Sequence, residues 1–199
     1  TRRSSDRGAA FWTRATPVRL DDRVSAGGFS LDGEAYLRTD LELGADDARF
    51  RPSSDLALVE WLQSEVEGLP VIAEAPGEDY RWTSRFSAMT GLPTPIGWPY
   101  HESQQRRPYV PLIDRRHADL TALYASGDPV VVATVLERYD IAYVVFGTRE
   151  RIISTPGSAA VLRDHECLRV EFTGDGVDAD RWIAAVDADC VTRVRRSAR

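Results

Sequence analysis

The sequence predicts an α/β fold: a small, mainly parallel sheet with flanking helices, in a Rossmann-like three-layer or a two-layer arrangement. Three observations carry this expectation. Two short apolar runs, at 70–75 and 141–146, are each stopped by turn residues, as buried strands are. Helical patterns lie before, between and after them, so helices and strands alternate along the chain as in α/β proteins. Strands joined by long crossovers that contain helices lie parallel, with right-handed connections.

Each element follows from local chemistry. Residues 1–50 lack sustained periodicity and carry Gly8, Pro17, Gly27, Gly28, Gly33 and Gly44. They read as an irregular lead-in packed on the core, with a short helix near 33–37. A single α/β domain follows over 51–199. It opens at Pro52-Ser53-Ser54-Asp55, whose oxygens suit the free N–H groups of a helix start. Leu58, Trp61, Leu62 and Val66 then recur at helical spacing up to Gly68.

The first strand, near 70–75, stops at Pro76-Gly77. Residues 77–111 then carry many prolines, glycines and aromatics without a period. So long an aperiodic stretch inside a compact domain is either functional or a sign of a wrong element assignment. Its aromatics, among them Tyr80, Trp82, Phe86, Trp98, Tyr100 and Tyr109, mark a long ordered excursion rather than a linker. Helical spacing resumes from Asp114 to Gly127. Asp128-Pro129 starts another helix, because Asp caps free N–H groups and proline at the first position forfeits no bond. The second strand at 141–146 ends at Gly147. A short helix near 158–162 precedes a third strand at 168–172, and 182–186 and 191–194 read as closing antiparallel strands.

The 199 residues carry 25 basic and 31 acidic side chains, and every base is arginine. With neither lysine nor asparagine, a Walker-type phosphate loop, a Schiff-base enzyme and N-glycosylation are excluded. Codon usage in a GC-rich genome accounts for the bias as a whole; a functional account requires arginines to gather at one place. The acidic balance argues against nucleic acid as a partner. No apolar run approaches the roughly 20 residues of a membrane span, and there is no charged-then-apolar leader. The Thr1 start and the arginine-rich ends read as an excised piece of a longer chain. Cys167 and Cys190 are too few for a metal framework; bridged, they would close a loop worth roughly 3 kcal/mol.

In open parallel sheets ligands bind beyond the carboxyl ends of the strands. The first strand runs into Glu74, Gly77, Tyr80 and Arg85, and the second into Gly147, Thr148, Arg149, Glu150 and Arg151. Parallel neighbours would bring both segments to one edge, roofed by the 77–111 excursion. Within the roof, His101 beside Glu102 offers a proton shuttle, or a polar turn that satisfies backbone groups. His117 and His165 have no ligand spacing to His101, so no metal is expected, and no cofactor either. Glu74 and Glu102 have the chemistry of a glycosidase pair, although Glu74 paired with Arg85 or Arg151 is the more economical reading. Trp98, Tyr100 and Tyr109 offer flat faces to a sugar ring, or to a core. Ser84 and Ser87 lack a nucleophile elbow.

A series of motifs adds a resemblance. It comprises Ser30-Leu31-Asp32-Gly33-x-Ala35-Tyr36-Leu37, Glu60-Trp61-Leu62 and Pro70-Val71-Ile72-x-Glu74-Ala75. Ser84-Arg85-Phe86-Ser87 and Thr90-Gly91-Leu92-Pro93-Thr94 follow. Gly97-Trp98-Pro99-x-His101-Glu102, with Gln104 and Arg106, and Tyr143-Val144-Val145-x-Gly147-x-x-Glu150-Arg151 complete it. Together these resemble the C-terminal soluble region of the YYY family of multi-pass membrane proteins, whose membrane part is similar to GT-C glycosyltransferases. Gln105 departs from the pattern, standing where the family carries tryptophan.

The resemblance implies a domain tethered to a membrane on its extracytoplasmic face, with its own transmembrane region as partner. It implies binding of a polyprenyl-phosphate sugar donor or a glycan acceptor, and it permits a Cys167–Cys190 disulfide. Arg85, Arg106 and Arg151 would hold phosphate or carboxylate groups, His101 and Glu102 would complete the pocket, and Trp98 would stack on sugar. The catalytic acid of GT-C enzymes sits between membrane helices, so no catalytic residue is assigned here and the piece alone should not turn over. A domain that only packs on its own membrane helices is the alternative expectation.

Overall fold

The computed structural model describes residues 34–39, 42–45, 48–79 and 81–197. Tyr80 and the 30–33 part of the motif series lie outside them. A 3-10 turn, Ala35–Arg38, precedes an antiparallel pair, β1 (Leu43–Ala45) and β2 (Ala48–Phe50). A second 3-10 turn, Pro52–Asp55, leads into α1 (Leu56–Glu65), then β3 (Val71–Ala73). The excursion contains α2 (Arg85–Thr90), α3 (Pro99–Gln105) and a 3-10 turn, Arg107–Tyr109. After it come α4 (Val110–Ala125), α5 (Pro129–Arg138), β4 (Ile141–Phe146), α6 (Thr148–Ile153) and α7 (Pro156–Arg163). The chain closes with β5 (Leu168–Thr173), β6 (Trp182–Val186) and α8 (Ala188–Ser197).

The main sheet has the order β3-β4-β6-β5. Only β3 and β4 pair in parallel; β6 pairs antiparallel with both β4 and β5. The sheet is therefore mixed, which corrects the mainly parallel expectation. The long crossover over 74–140 does make its two strands parallel. The last strand, however, returns in the opposite sense and inserts between β4 and β5.

Side chains alternate across the two inner strands with the period of two that a pleated strand imposes. Val144 and Phe146 of β4, and Trp182 and Ala184 of β6, face a core built with α4, α5, α7 and α8. Val145 and Ile183 face the opposite side, where Leu58, Val59 and Leu62 of α1 and Phe86 of α2 cover the sheet. Phe146 and Trp182 stack with ring centroids 5.1 Å apart. The excursion also serves the sheet edge, where the Ile72 N–H donates to the Pro93 carbonyl at 2.9 Å. This pairing satisfies a donor that an edge strand would otherwise leave open.

Three local expectations change. Residues 191–194 belong to α8 rather than to a strand, since Cys190, Val191 and Val194 share a helical face against the core. Asp187 starts that helix by accepting from the Cys190 N–H at 2.8 Å. Helix α4 begins at Val110, ahead of Asp114, because Pro111 falls in its first turn, where no hydrogen bond is forfeited. Finally, the Asp55 side chain makes no cap bond to α1 and turns inward instead. In the described part of the lead-in Leu37 is fully buried, and Tyr36 lies edge-on to Trp82 at 6.0 Å.

Cys167 and Cys190 form a disulfide across a separation of 23 residues, fastening α8 beside the edge strand β5. A loop of this length lowers the entropy of the unfolded chain by the equivalent of roughly 3 kcal/mol. The double variant Cys167→Ser/Cys190→Ser should lose about that much in urea unfolding. Reductant should lower the wild type equally and leave the variant unchanged.

Candidate functional site

Four charged side chains converge at the carboxyl ends of the parallel pair. Asp55 ends the 3-10 turn before α1, Glu74 follows β3, Arg85 opens α2, and Glu150 lies in the first turn of α6. None is more than 3% exposed. Buried charge is tolerated only where partners replace water, and each of these groups is supplied with them.

Arg85 is the hub. Its Nε donates to Asp55 Oδ2 at 2.6 Å, while Nη2 and Nη1 donate to the two oxygens of Glu150 at 2.6 and 3.3 Å. Its guanidinium also lies 4.2 Å from the centre of the Phe86 ring. Asp55 accepts in addition from Trp82 Nε1 at 2.8 Å, from the Thr148 N–H at 2.8 Å and from Thr148 Oγ1 at 2.9 Å. Glu150 reaches back to the Gly147 N–H at 2.9 Å and across to the Ala75 N–H at 2.6 Å, joining β3 to α6. Glu74 accepts from the Phe86 and Ser87 N–H groups, at 3.1 and 2.9 Å, at the start of α2.

The backbone is shaped to bring these groups together. Ser84 is left-handed, with φ 54°, a conformation that is uncommon outside glycine and that sets the path into Arg85. Gly147 has no room for a side chain. A Cβ there would stand 2.6 Å from Asp55 Oδ1 and 2.8 Å from Arg85 Nη2.

Electrostatics follows the packing. Burial raises the Asp55 carboxyl, but Arg85 and the hydrogen bonds from Thr148 and Trp82 outweigh it and hold the group below its usual value. Burial pushes Glu74 up to about 7, against the opposing pull of Arg85 and two N–H groups, and the nearby Glu150 adds to the rise. Burial opposes the Arg85 charge, yet Asp55 and Glu150 raise its pKa further. One permanent cation thus stands among three carboxyls, and burial moves Glu74 and Arg85 moves Asp55 in opposite directions.

Outside this network lies an open groove of about 590 Å³, lined by Gly77, Glu78, Pro99, Asp114, His117 and Arg149. Arg149 is only 7% exposed, and burial lowers its pKa while Glu150 opposes the shift. Gly77 passes so close that a Cβ would come within 2.5 Å of Arg149 Nη2. Asp114 and His117 are three residues apart, on one side of α4. The groove therefore offers a buried guanidinium, an imidazole and two carboxylates.

The sequence-predicted residues divide into three sets. Glu74, Arg85 and Glu150 meet in the sealed network. Trp98, His101, Glu102, Gln104 and Arg106 lie on or beside α3, at the surface: the His101 ring meets Trp98 edge-on at 6.3 Å, and Glu102 accepts from the Gly97 N–H at 2.7 Å. His101 and Tyr100 donate their backbone N–H groups to Asp79. Arg106 is exposed beside Glu102 at 3.5 Å, and Arg151 is exposed beside Asp180 at 3.0 Å. Asp55, Arg149 and His117 escaped the sequence reading as site residues. Asp55 was concealed by its fit to a helix cap, and Arg149 by standing at an unspecified position of the 143–151 motif, between the residues that carry it.

Glu74 is sealed by α2, while Glu102 is held on Gly97 and Arg106, so different partners fix the two carboxylates. His165 is buried and structural, bonded to the Pro129 carbonyl and the Cys167 N–H. Among the described residues no three His, Cys, Asp or Glu side chains gather as metal ligands do. Comparisons with protein families, curated proteins and solved structures find no match.

Proposed function

We propose that this chain is an extracytoplasmic accessory domain of a GT-C-like membrane glycosyltransferase, binding a polyprenyl-phosphate sugar donor or the glycan acceptor without turning it over. The observation that carries the reading is the groove beyond the carboxyl ends of β3 and β4, with Arg149 in its wall and His117 beside it. Guanidinium and imidazole groups suit a phosphate or carboxylate, the guanidinium through paired hydrogen bonds. Of α3, Pro99 lines the groove; a role for His101, Glu102 and Trp98 in binding is part of the proposal. The sealed network fixes α2 and α6 relative to β3 and β4. A disulfide suits an oxidising, extracytoplasmic compartment.

The test is a titration of the 199-residue chain with farnesyl phosphate, followed by amide NMR. Saturable shifts are expected at Gly77, His117 and Arg149, and Arg149→Ala should weaken binding about tenfold or more. In a full-length parent, His101→Ala should lose transfer activity while still folding; normal activity would remove His101 from the reading. Absence of any saturable shift would favour the second reading, a domain that only packs on its own membrane helices. That reading has an observation of its own: Arg85 is paired with Asp55 and Glu150, and Glu74 is held by two backbone N–H groups rather than by the expected arginine, so the buried charges are satisfied internally, as structural groups are.

A further inference from the structure

The corner where α3 gives way to α4 is locally basic within an acidic chain. Residues 99–118 carry four arginines, at 106, 107, 115 and 116, against two carboxylates, Glu102 and Asp114, within a chain of net charge −6. Glu102 is already taken by the Gly97 N–H and Arg106. Arg107 and Arg115 are exposed and have no ion pair among the described residues. Beside them, Tyr109 is 59% exposed and Leu112 is 38% exposed.

These residues share a face. Tyr109, Leu112 and Arg115 follow at three-residue steps through the continuous turn of Arg107–Tyr109 and α4, which makes them neighbours on the helix surface. Ile113, Leu120 and Leu123 of the same helix enter the core, and Asp114 and His117 line the groove. The Tyr109–Leu112–Arg115 stripe is left to an outside partner.

We infer that this corner rests on an anionic lipid bilayer surface. A tyrosine combines an apolar ring with a polar tip, the property that concentrates it at membrane interfaces. Leucine supplies the apolar contact, and exposed arginines reach lipid phosphates while their stems lie along the apolar surface. Charge decides between occupants. A second copy meeting this corner about a two-fold axis would set Arg107 and Arg115 against their own kind. An apolar protein face would leave two guanidinium groups without a counter-charge. A lipid surface satisfies both components.

The inference does not depend on the groove, which a soluble phosphate probes separately. The 199-residue chain is sedimented with vesicles of phosphatidylcholine, with and without phosphatidylglycerol, at low and high salt. Binding is expected only where phosphatidylglycerol is present, and it should weaken with salt. Arg107→Gln/Arg115→Gln and Tyr109→Ser/Leu112→Ser should each reduce partitioning about tenfold while leaving the unfolding midpoint unchanged. The proposal is overturned by no binding to the anionic vesicles, by equal binding to neutral ones or by undiminished binding of either variant. It is also overturned by a dimer, seen in ultracentrifugation, that requires these same residues.

Discussion

Replacing Arg85 by methionine should lower stability near neutral pH by about 3–5 kcal/mol, the cost of stripping a buried ion cluster of one partner. The size follows from what is left behind. Asp55 and Glu150 touch no other cation at hydrogen-bond distance among the described residues, and both are completely buried. Without Arg85 their ionised forms face only backbone N–H groups, a threonine and an indole. Asp55, whose carboxyl Arg85 holds down against its burial, loses that opposition, so its penalty is full at neutral pH and shrinks as acid protonates it. Urea unfolding of Arg85→Met at pH 7.5 and pH 5 measures both parts. A loss below about 1 kcal/mol, the range of an exposed ion pair, would show that the network contributes little. A large loss that does not diminish toward acid would point to lost packing against Phe86 instead.

The same geometry gives one arginine of this lysine-free chain a reason beyond codon usage. A single ammonium carries its donors on one point, whereas Arg85 places Nε on Asp55 and both terminal nitrogens on Glu150. Arg85→Lys should therefore recover only part of the stability lost in Arg85→Met. Arg106 and Arg151, by contrast, stay at the surface, where an ion pair contributes little.

What the sequence disclosed, and what it concealed, follows from range. The apolar runs that became β3 and β4 are bounded by local turn residues, and Asp128-Pro129 starts a helix through a bond two residues away. Such signals are complete within a few positions. Strand order is not: nothing within 182–186 encodes that this strand inserts between β4 and β5, so the sheet came out mixed. The final helix was legible in principle, through Asp187 at its start and the spacing of Cys190, Val191 and Val194. The short apolar run imitated a strand. Asp55 is the sharpest case. Its neighbours suggest a cap, but its partner Thr148 is 93 residues away, and the inward placement wins because it also pairs the carboxylate with Arg85.

Glu74 should make the protein less stable as pH rises through neutrality, and Glu74→Gln should remove that slope. Its folded pKa of about 7 lies above the ordinary value of 4.5, so between these values the folded state binds more proton than the unfolded state. The stabilisation is fully present below about pH 4.5 and is lost as pH passes 7, and it amounts to about 3 kcal/mol. Asp55 acts in the opposite sense. Its pKa is depressed, so its contribution is present above the unfolded value and is lost only on strong acidification. Wild type should therefore be most stable in mildly acidic solution. Glutamine keeps one acceptor for the two N–H groups at the start of α2 and gives up the other, at about 1 kcal/mol. The variant should accordingly be less stable than wild type at pH 4, about equal to it near pH 5 and more stable by about 2 kcal/mol at pH 8. Denaturation midpoints of the two proteins across this range would cross. Parallel profiles would mean instead that Arg85 and the N–H groups keep Glu74 ionised despite its burial.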